Sequence, residues 1–259
     1  MNFEGAVIIV TGSATGLGAA VAKRAAAKGA NVLINYTKSE VEARETTAAC
    51  HGLGADALLC RADVSVDEDC RRMASEAIAK WGRIDGLVNN AGQSVFASAA
   101  DLDALSADDF LRIYSVNVVG AYQMSRAVAP HMKTQGRGAI VNVSSISAIT
   151  GAGSSIAYAA SKGALNTMTI SLARALAPEI RVNAVCPGLF SSRWWSDGLG
   201  EEGYRRLFDQ FVEAVPLRAV ATPESVAETV VWLLEGAEYI TGETMMIDAG
   251  MHLLTFQPT

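Results

Sequence analysis

The chain has 259 residues, half of them hydrophobic and 19% charged, with a formal net charge of −6. That length and apolar content suit one large α/β domain and exclude extended disorder, and the acidic balance leaves no basic surface for a phosphate backbone, so a nucleic-acid partner is not expected. Four cysteines without Cys-x-x-Cys spacing, three histidines without ligand spacing, no apolar run of membrane-spanning length and a start lacking a basic, apolar leader point to a cytoplasmic protein with no metal and no membrane partner.

In chain order, Ala6-Val7-Ile8-Ile9-Val10 reads as a first strand, and Thr11-Gly12-Ser13-Ala14-Thr15-Gly16-Leu17-Gly18 as a turn opening a helix over about 17–28. The unit repeats: a strand at 32–34, a helix at 40–50, a strand at 57–60 and a helix at 67–80, with Gly29 and Gly52 following helix ends. A fourth strand at 86–88 runs into Asn89-Asn90-Ala91-Gly92, and further strands are expected at 139–143, 182–185 and 244–247 with long helices between them. Strands this apolar are covered on both faces, which predicts a Rossmann-type, doubly wound, mostly parallel seven-stranded sheet with helices on both faces. No linker or repeat divides the chain, so 1–259 is expected to be a single domain. Between Pro187-Gly188 and Pro223 the rhythm breaks into a stretch with Phe190, Trp194, Trp195, Tyr204, Phe208 and Phe211 amid Gly198, Gly200 and Gly203. Lying beyond a strand's carboxyl end, where open α/β sheets bind ligands, this stretch is expected to form a substrate lid at about 189–214.

The turn after the first strand carries the first chemical signal. Glycines let backbone N–H groups approach a pyrophosphate, and the helix N-terminus favours its charge. No P-loop lysine is present, so dinucleotide binding is favoured over nucleotide hydrolysis. A plain glycine-rich strand-to-helix turn would look similar; Asn89-Asn90-Ala91-Gly92, expected at the same sheet edge, weighs against it. The second signal is Tyr158-Ala159-Ala160-Ser161-Lys162, downstream of Ser144-Ser145. Four residues apart on a helix, Tyr158 and Lys162 share a face, and a cation beside a phenol of ordinary pKa about 10 would make it a usable proton donor near neutrality. An ordinary Tyr/Lys pair on a helix surface has the same spacing.

Together these elements resemble the short-chain dehydrogenase/reductase family over nearly the whole chain. The family's glycine motif matches Gly12, Gly16 and Gly18, its Asn-Asn-Ala-Gly motif residues 89–92, its Tyr-x-x-x-Lys motif Tyr158 and Lys162, and its Pro-Gly motif Pro187-Gly188. The resemblance implies an NAD(P)-dependent oxidoreductase interconverting a carbonyl and a secondary alcohol. Its catalytic residues would be Tyr158 as acid/base, Ser145 holding the substrate oxygen, Lys162 and Asn117. The usual distance to the tyrosine selects Ser145 over Ser144, which would support the turn. Lys162 would lower the phenol's pKa and hold ribose hydroxyls, and Asn117 would anchor a water that relays protons; without the resemblance, Asn117 reads as a buried amide satisfying backbone groups.

The cofactor would lie along Gly12, Ser13, Thr15, Gly16, Leu17 and Gly18, then Tyr36, Thr37 and Lys38, Asp63 and Val64, Asn90, Ala91 and Gly92, Tyr158 and Lys162, and Pro187 and Gly188. NAD-selective relatives place a carboxylate at the end of the second strand. Tyr36 stands there, followed by Thr37 and Lys38 as phosphate donors, so NADP(H) is favoured over NAD(H); Thr15, where many NADP-specific relatives carry a basic residue, leaves dual use open. Asp63 would contact adenine, or act as a helix cap near Ser65. The substrate is expected to be a small carbonyl or alcohol, free or linked to an acyl carrier, with 3-oxoacyl reductase-like ketone reduction favoured. The alternatives are a sugar or small or cyclic alcohol dehydrogenase, and a nucleotide-binding regulator that has lost turnover. Phe96, Trp194, Trp195 and the aromatics following them would line an apolar pocket, pack the lid or bury a subunit interface. A homotetramer or homodimer built through long helices and the last strand is expected.

Overall fold

The computed structural model describes residues 2–191 and 193–254, with 193–197 as backbone alone. Its strands are β1 (Val7–Val10), β2 (Asn31–Tyr36), β3 (Ala57–Arg61), β4 (Gly86–Asn89), β5 (Gly138–Val143), β6 (Ile180–Pro187) and β7 (Thr244–Ile247). Among the described residues they form one seven-stranded sheet in the order β3-β2-β1-β4-β5-β6-β7, and every pairing is parallel. The helices are α1 (Gly16–Ala26), α2 (Glu40–Gly52), α3 (Asp67–Trp81), α4 (Ala107–Tyr114), α5 (Ala121–Thr134), α6 (Ser147–Thr150), α7 (Ile156–Leu176), α8 (Arg193–Ala214) and α9 (Pro223–Glu235).

The strand residues divide between two apolar cores, one per face. Ile8, Val10, Val32 and Ile34 pack with α1, α2 and α9, whereas Val7, Ile9 and Leu33 pack with α3, α5 and α7. Period-two alternation in a sheet covered on both faces requires this split, and it explains why the strands read as continuous apolar runs. β7 at the sheet edge is only half-buried.

Two local features position the site. α7 is capped by Ser155, whose hydroxyl accepts from the Tyr158 N–H at 3.2 Å, so Tyr158 and Lys162 occupy the first two turns of a 21-residue helix. Between α4 and α5 the chain widens into a π turn over Ser115–Gly120, and Asn117 lies within it. π turns recur at functional sites because one extra residue per turn re-aims the side chains. The sequence places Asn117 on a helix without signalling this widening. At Gly120 a Cβ would come within 2.7 Å of Val64, so the turn packs on the β3–α3 loop only as glycine.

β1 and β4 are neighbours although β2 and β3 lie between them in the chain, so a crevice opens at their carboxyl ends, the topological switch point. Beyond β6, α8 covers much of the stretch read as a lid and is interrupted at Gly200, whose φ of 71° and ψ of 163° are not helical. A bridge between Phe190 and Ala221 ties the two ends of the excursion together.

Candidate active site

The carboxyl ends of the strands enclose a cleft of about 750 Å³. Its nucleotide end begins at the glycine turn. Gly12 and Gly16 have φ of 60° and 56°, a region that disfavours side chains. Gly18 has no room for one: a Cβ would stand 2.5 Å from Asn90 Nδ2 and 2.9 Å from Ser13 Cα, closer still to Gly12 O. Asn90 Nδ2 in turn donates to the carbonyls of Thr11 and Gly12, both at 2.9 Å, and the Asn90 and Ala91 N–H groups donate to Thr11 Oγ1 at 3.0 Å. The two motifs therefore brace each other across the switch point, leaving the N-terminus of α1 facing the cleft. A pyrophosphate fits this cradle because it needs backbone donors at close approach and a helix N-terminus.

Buried Asn35 completes the brace: its Oδ1 accepts from the Gly12 N–H at 2.9 Å and its Nδ2 donates to Ala62 O at 2.9 Å. The sequence reading missed this residue, although an amide inside the apolar run of β2 was a signal. Of the residues expected at the cofactor, Gly12, Thr15, Gly16, Leu17, Thr37, Lys38, Asp63, Val64, Asn90, Ala91, Gly92, Pro187 and Gly188 line the cleft, as do Tyr158 and Lys162. Three stand behind its wall. Ser13 is fully buried, its hydroxyl donating to Val10 O at 2.7 Å and accepting from the Asn35 N–H. Gly18 lies beneath the turn it spaces. Tyr36 is packed into the core of the α1 face, since strand alternation turns this position inward, and the open edge passes to Thr37 and Lys38. Asp63 lines the cleft, and its Oδ1 accepts from the Ser65 N–H and hydroxyl at 2.9 and 2.7 Å; the N-cap of α3 is Val66, without a side-chain cap.

At the other end, β5, the π turn and α7 bring Ser145, Asn117, Tyr158 and Lys162 together. Ser145 is buried, donates to Ser147 Oγ at 3.0 Å and hydrogen-bonds with the Tyr158 hydroxyl. Ser144 donates to Lys162 O, in the backbone of α7, at 3.2 Å. Asn117 Oδ1 accepts from the Gln93 N–H at 2.8 Å, and its Nδ2 donates to Gln93 O and Ser161 Oγ, both at 3.0 Å. Its side chain thus clamps the backbone after Gly92, as a buried amide satisfying backbone groups would. Lys162, only 3% exposed, donates to Val143 O at 2.8 Å and lies 5.5 Å from the centre of the Tyr158 ring.

The electrostatics differ from the expectation that Lys162 depresses the phenol. Burial pushes Tyr158 up to about 12, opposed by the Ser145 hydrogen bond, and burial brings Lys162 down to about 8. Desolvation is the largest cause of both shifts because both groups leave water. Cys186, also unforeseen, sits beside them; burial raises its thiol, while hydrogen bonds from Ser144 and Asn166 oppose the rise.

The aromatics divide. Phe190 lines the cleft, and Phe96 packs so closely on Gly198 that no side chain fits there. Tyr204 and Phe208 meet edge to face at 5.7 Å within α8. The side chains of Trp194 and Trp195 lie outside the described residues. Among the described residues no cluster of His, Cys, Asp and Glu could hold a metal, and no helix is long and apolar enough to cross a membrane.

A family model described as Enoyl-(Acyl carrier protein) reductase matches residues 12–252. A Streptomyces violaceoruber protein assigned as ketoacyl reductase 2 of the granaticin polyketide synthase is 41% identical, over 97% of this chain and 98% of its own. Among solved structures, a Burkholderia xenovorans protein assigned to the short-chain dehydrogenase/reductases superposes with a TM-score of 0.89 at 39% identity, covering 96% of this chain and 98% of that one. An NAD+-bound xylitol dehydrogenase superposes with a TM-score of 0.88 at 30% identity, covering 95% and 99%.

Proposed function

This chain belongs to the short-chain dehydrogenase/reductase family of NAD(P)-dependent oxidoreductases, and from that premise we propose that it reduces a ketone to a secondary alcohol with NADPH. The observation that carries the reading is the meeting of Ser145, Tyr158 and Lys162 at one end of a cleft whose other end is a pyrophosphate cradle. Bound along that cleft, a reduced nicotinamide nucleotide supplies the hydride. The glycine turn would hold its phosphates, Thr37 and Lys38 the ribose edge, Asp63 and Val64 the adenine, and Lys162 the second ribose.

The protein's own part is proton management. As negative charge develops on the carbonyl oxygen, Ser145 donates a hydrogen bond to it and Tyr158 gives up its phenolic proton to form the alcohol. A phenol held up to about 12 is fully protonated at neutral pH, as an acid must be, and an alkoxide is the stronger base, so the transfer runs downhill. Lys162, near 8, is poised to pass a proton back to the phenolate. Asn117 keeps the Gln93 segment and the π turn fixed around this path.

NADP(H) is preferred in this reading because no carboxylate stands at the β2 edge where Thr37 and Lys38 line the cleft. A ketoacyl substrate, free or carrier-linked, is favoured by the 41% identity to the polyketide ketoacyl reductase; a polyol or sugar is the second reading, favoured by the likeness to xylitol dehydrogenase. The stretch 189–214 acts as the lid of a single domain in the cytoplasm. Exposed Leu111, Val119 and Tyr122 on the α4–α5 side, with Trp232 on α9 and Tyr239 in the segment between α9 and β7, supply apolar surface for a dimer or tetramer. The test is Tyr158→Phe: hydride transfer from NADPH to ethyl acetoacetate should disappear while NADPH still binds. Undiminished turnover in the variant would overturn the assignment.

A further inference from the structure

Among the described residues, the substrate end of the cleft is polar yet uncharged. Of the described residues lining the cleft, the charged ones are Lys38, Asp63 and Lys162. Lys38 and Asp63 follow β2 and β3, and the sheet order separates β2 from β5 by three strand spacings, about 14 Å. Lys162 is buried behind Tyr158 and bound to Val143 O. Around the reacting position the wall is instead Gln93, Ser145, Ser147 and Ser154, faced by the aromatic Phe190.

Two of these groups are preorganised without being used by the proton chemistry. Gln93 has its backbone N–H and carbonyl both held by Asn117, while its side-chain amide makes no hydrogen bond among the described residues. Ser154 is 7% exposed, and its hydroxyl lies 2.6 Å from that of Ser94. The Ser94 hydroxyl also donates to Val95 O at 3.2 Å. Either hydroxyl of the pair can donate; in the arrangement where Ser94 keeps its bond to Val95 O it accepts from Ser154, and the lone pairs of Ser154 Oγ face a donor in the cleft. The backbone around Ser154 is anchored as well, since its carbonyl accepts from the Ala97 N–H at 2.8 Å.

Resting on the ketone-reductase reading, we propose that the substrate is uncharged near the reacting carbon and bears a second oxygen, a hydroxyl or carbonyl, recognised by Ser154 and Gln93. A hydroxyl would donate to Ser154 Oγ, and a carbonyl would accept from the Gln93 amide. A carboxylate or phosphate at the same place would lose its water and, among the described lining residues, meet no free cation. An analogue lacking the second oxygen would displace water from the Gln93 amide or from Ser154 Oγ without replacing its hydrogen bond, which costs more than the absence of a contact.

The test compares matched compounds with the NADPH-loaded enzyme: ethyl acetoacetate against acetoacetate, which differ in charge, and 4-hydroxy-2-butanone against 2-butanone, which differ in the second oxygen. Reduction should favour the first of each pair by roughly 5- to 100-fold in kcat/KM. In Ser154→Ala the ratio of 4-hydroxy-2-butanone to 2-butanone, and in Gln93→Met that of ethyl acetoacetate to 2-butanone, should collapse, mostly through KM. Calorimetric binding of the same compounds to protein saturated with NADP+ reads the preference without turnover. If nothing is reduced but the binding preference holds, the reductase reading falls and this proposal stands. Equal affinity for acetoacetate and its ester, or ratios unchanged in both variants, would overturn it.

Discussion

Replacing Lys162 by Met should stabilise the fold while removing its chemistry. The ammonium is 3% exposed, and burial lowers its pKa from the ordinary 10.5 to about 8. At about 1.4 kcal/mol per pH unit, carrying the proton into the folded state at pH 7 costs about 3 kcal/mol. Met has similar length and no charge, but it leaves Val143 O without its 2.8 Å donor, a loss of about 1–2 kcal/mol. The net is a gain of about 1–2 kcal/mol for Lys162→Met at pH 7. The pH dependence has a definite sign. Between about 8 and 10.5 the unfolded chain binds more protons at this group than the folded one, so wild-type stability rises with pH through that window and the variant's does not. Urea unfolding at pH 7, 8, 9 and 10, at fixed protein concentration, reads both effects; the two stability curves should converge and then cross as pH rises. A variant less stable at pH 7, or curves that stay parallel, would refute the claim that desolvation dominates at Lys162.

Other consequences are equally open to measurement. Gly18→Ala forces the first turn of α1 from the Asn90 amide by about 1 Å to reach ordinary contact, and NADPH affinity by fluorescence titration should fall at least about tenfold; an unchanged dissociation constant would discount the cradle. The Thr37→Ala/Lys38→Ala double variant should lower the NADPH-to-NADH affinity ratio by about tenfold, whereas an equal loss for both nucleotides would place the phosphate elsewhere. Ala249 adopts a φ of 55°, so Ala249→Gly should raise the melting temperature by about 1–3 °C, and a fall would mean that the methyl packs better than the backbone relaxes.

Most of the fold was legible because its signals are local. Apolar runs of strand length, punctuating glycines and Ala-rich helices depend on periods of two and 3.6, which a sequence displays directly. The i, i+4 relation of Tyr158 and Lys162 is likewise local, and α7 realises it. The glycine turn and Asn89-Asn90-Ala91-Gly92 were each recognisable, but their mutual bracing through Asn90 and Thr11 depends on β1 and β4 being neighbours. What the tertiary structure alone decided is which polar groups leave water and whom they meet there. It turned Tyr36 into the core, set Asn35 under Gly12, clamped Gln93 with Asn117 and paired Ser154 with Ser94. Spacing proposed that Lys162 would draw the phenol's pKa down; burial, a property of every element packed around the pair, reversed the direction.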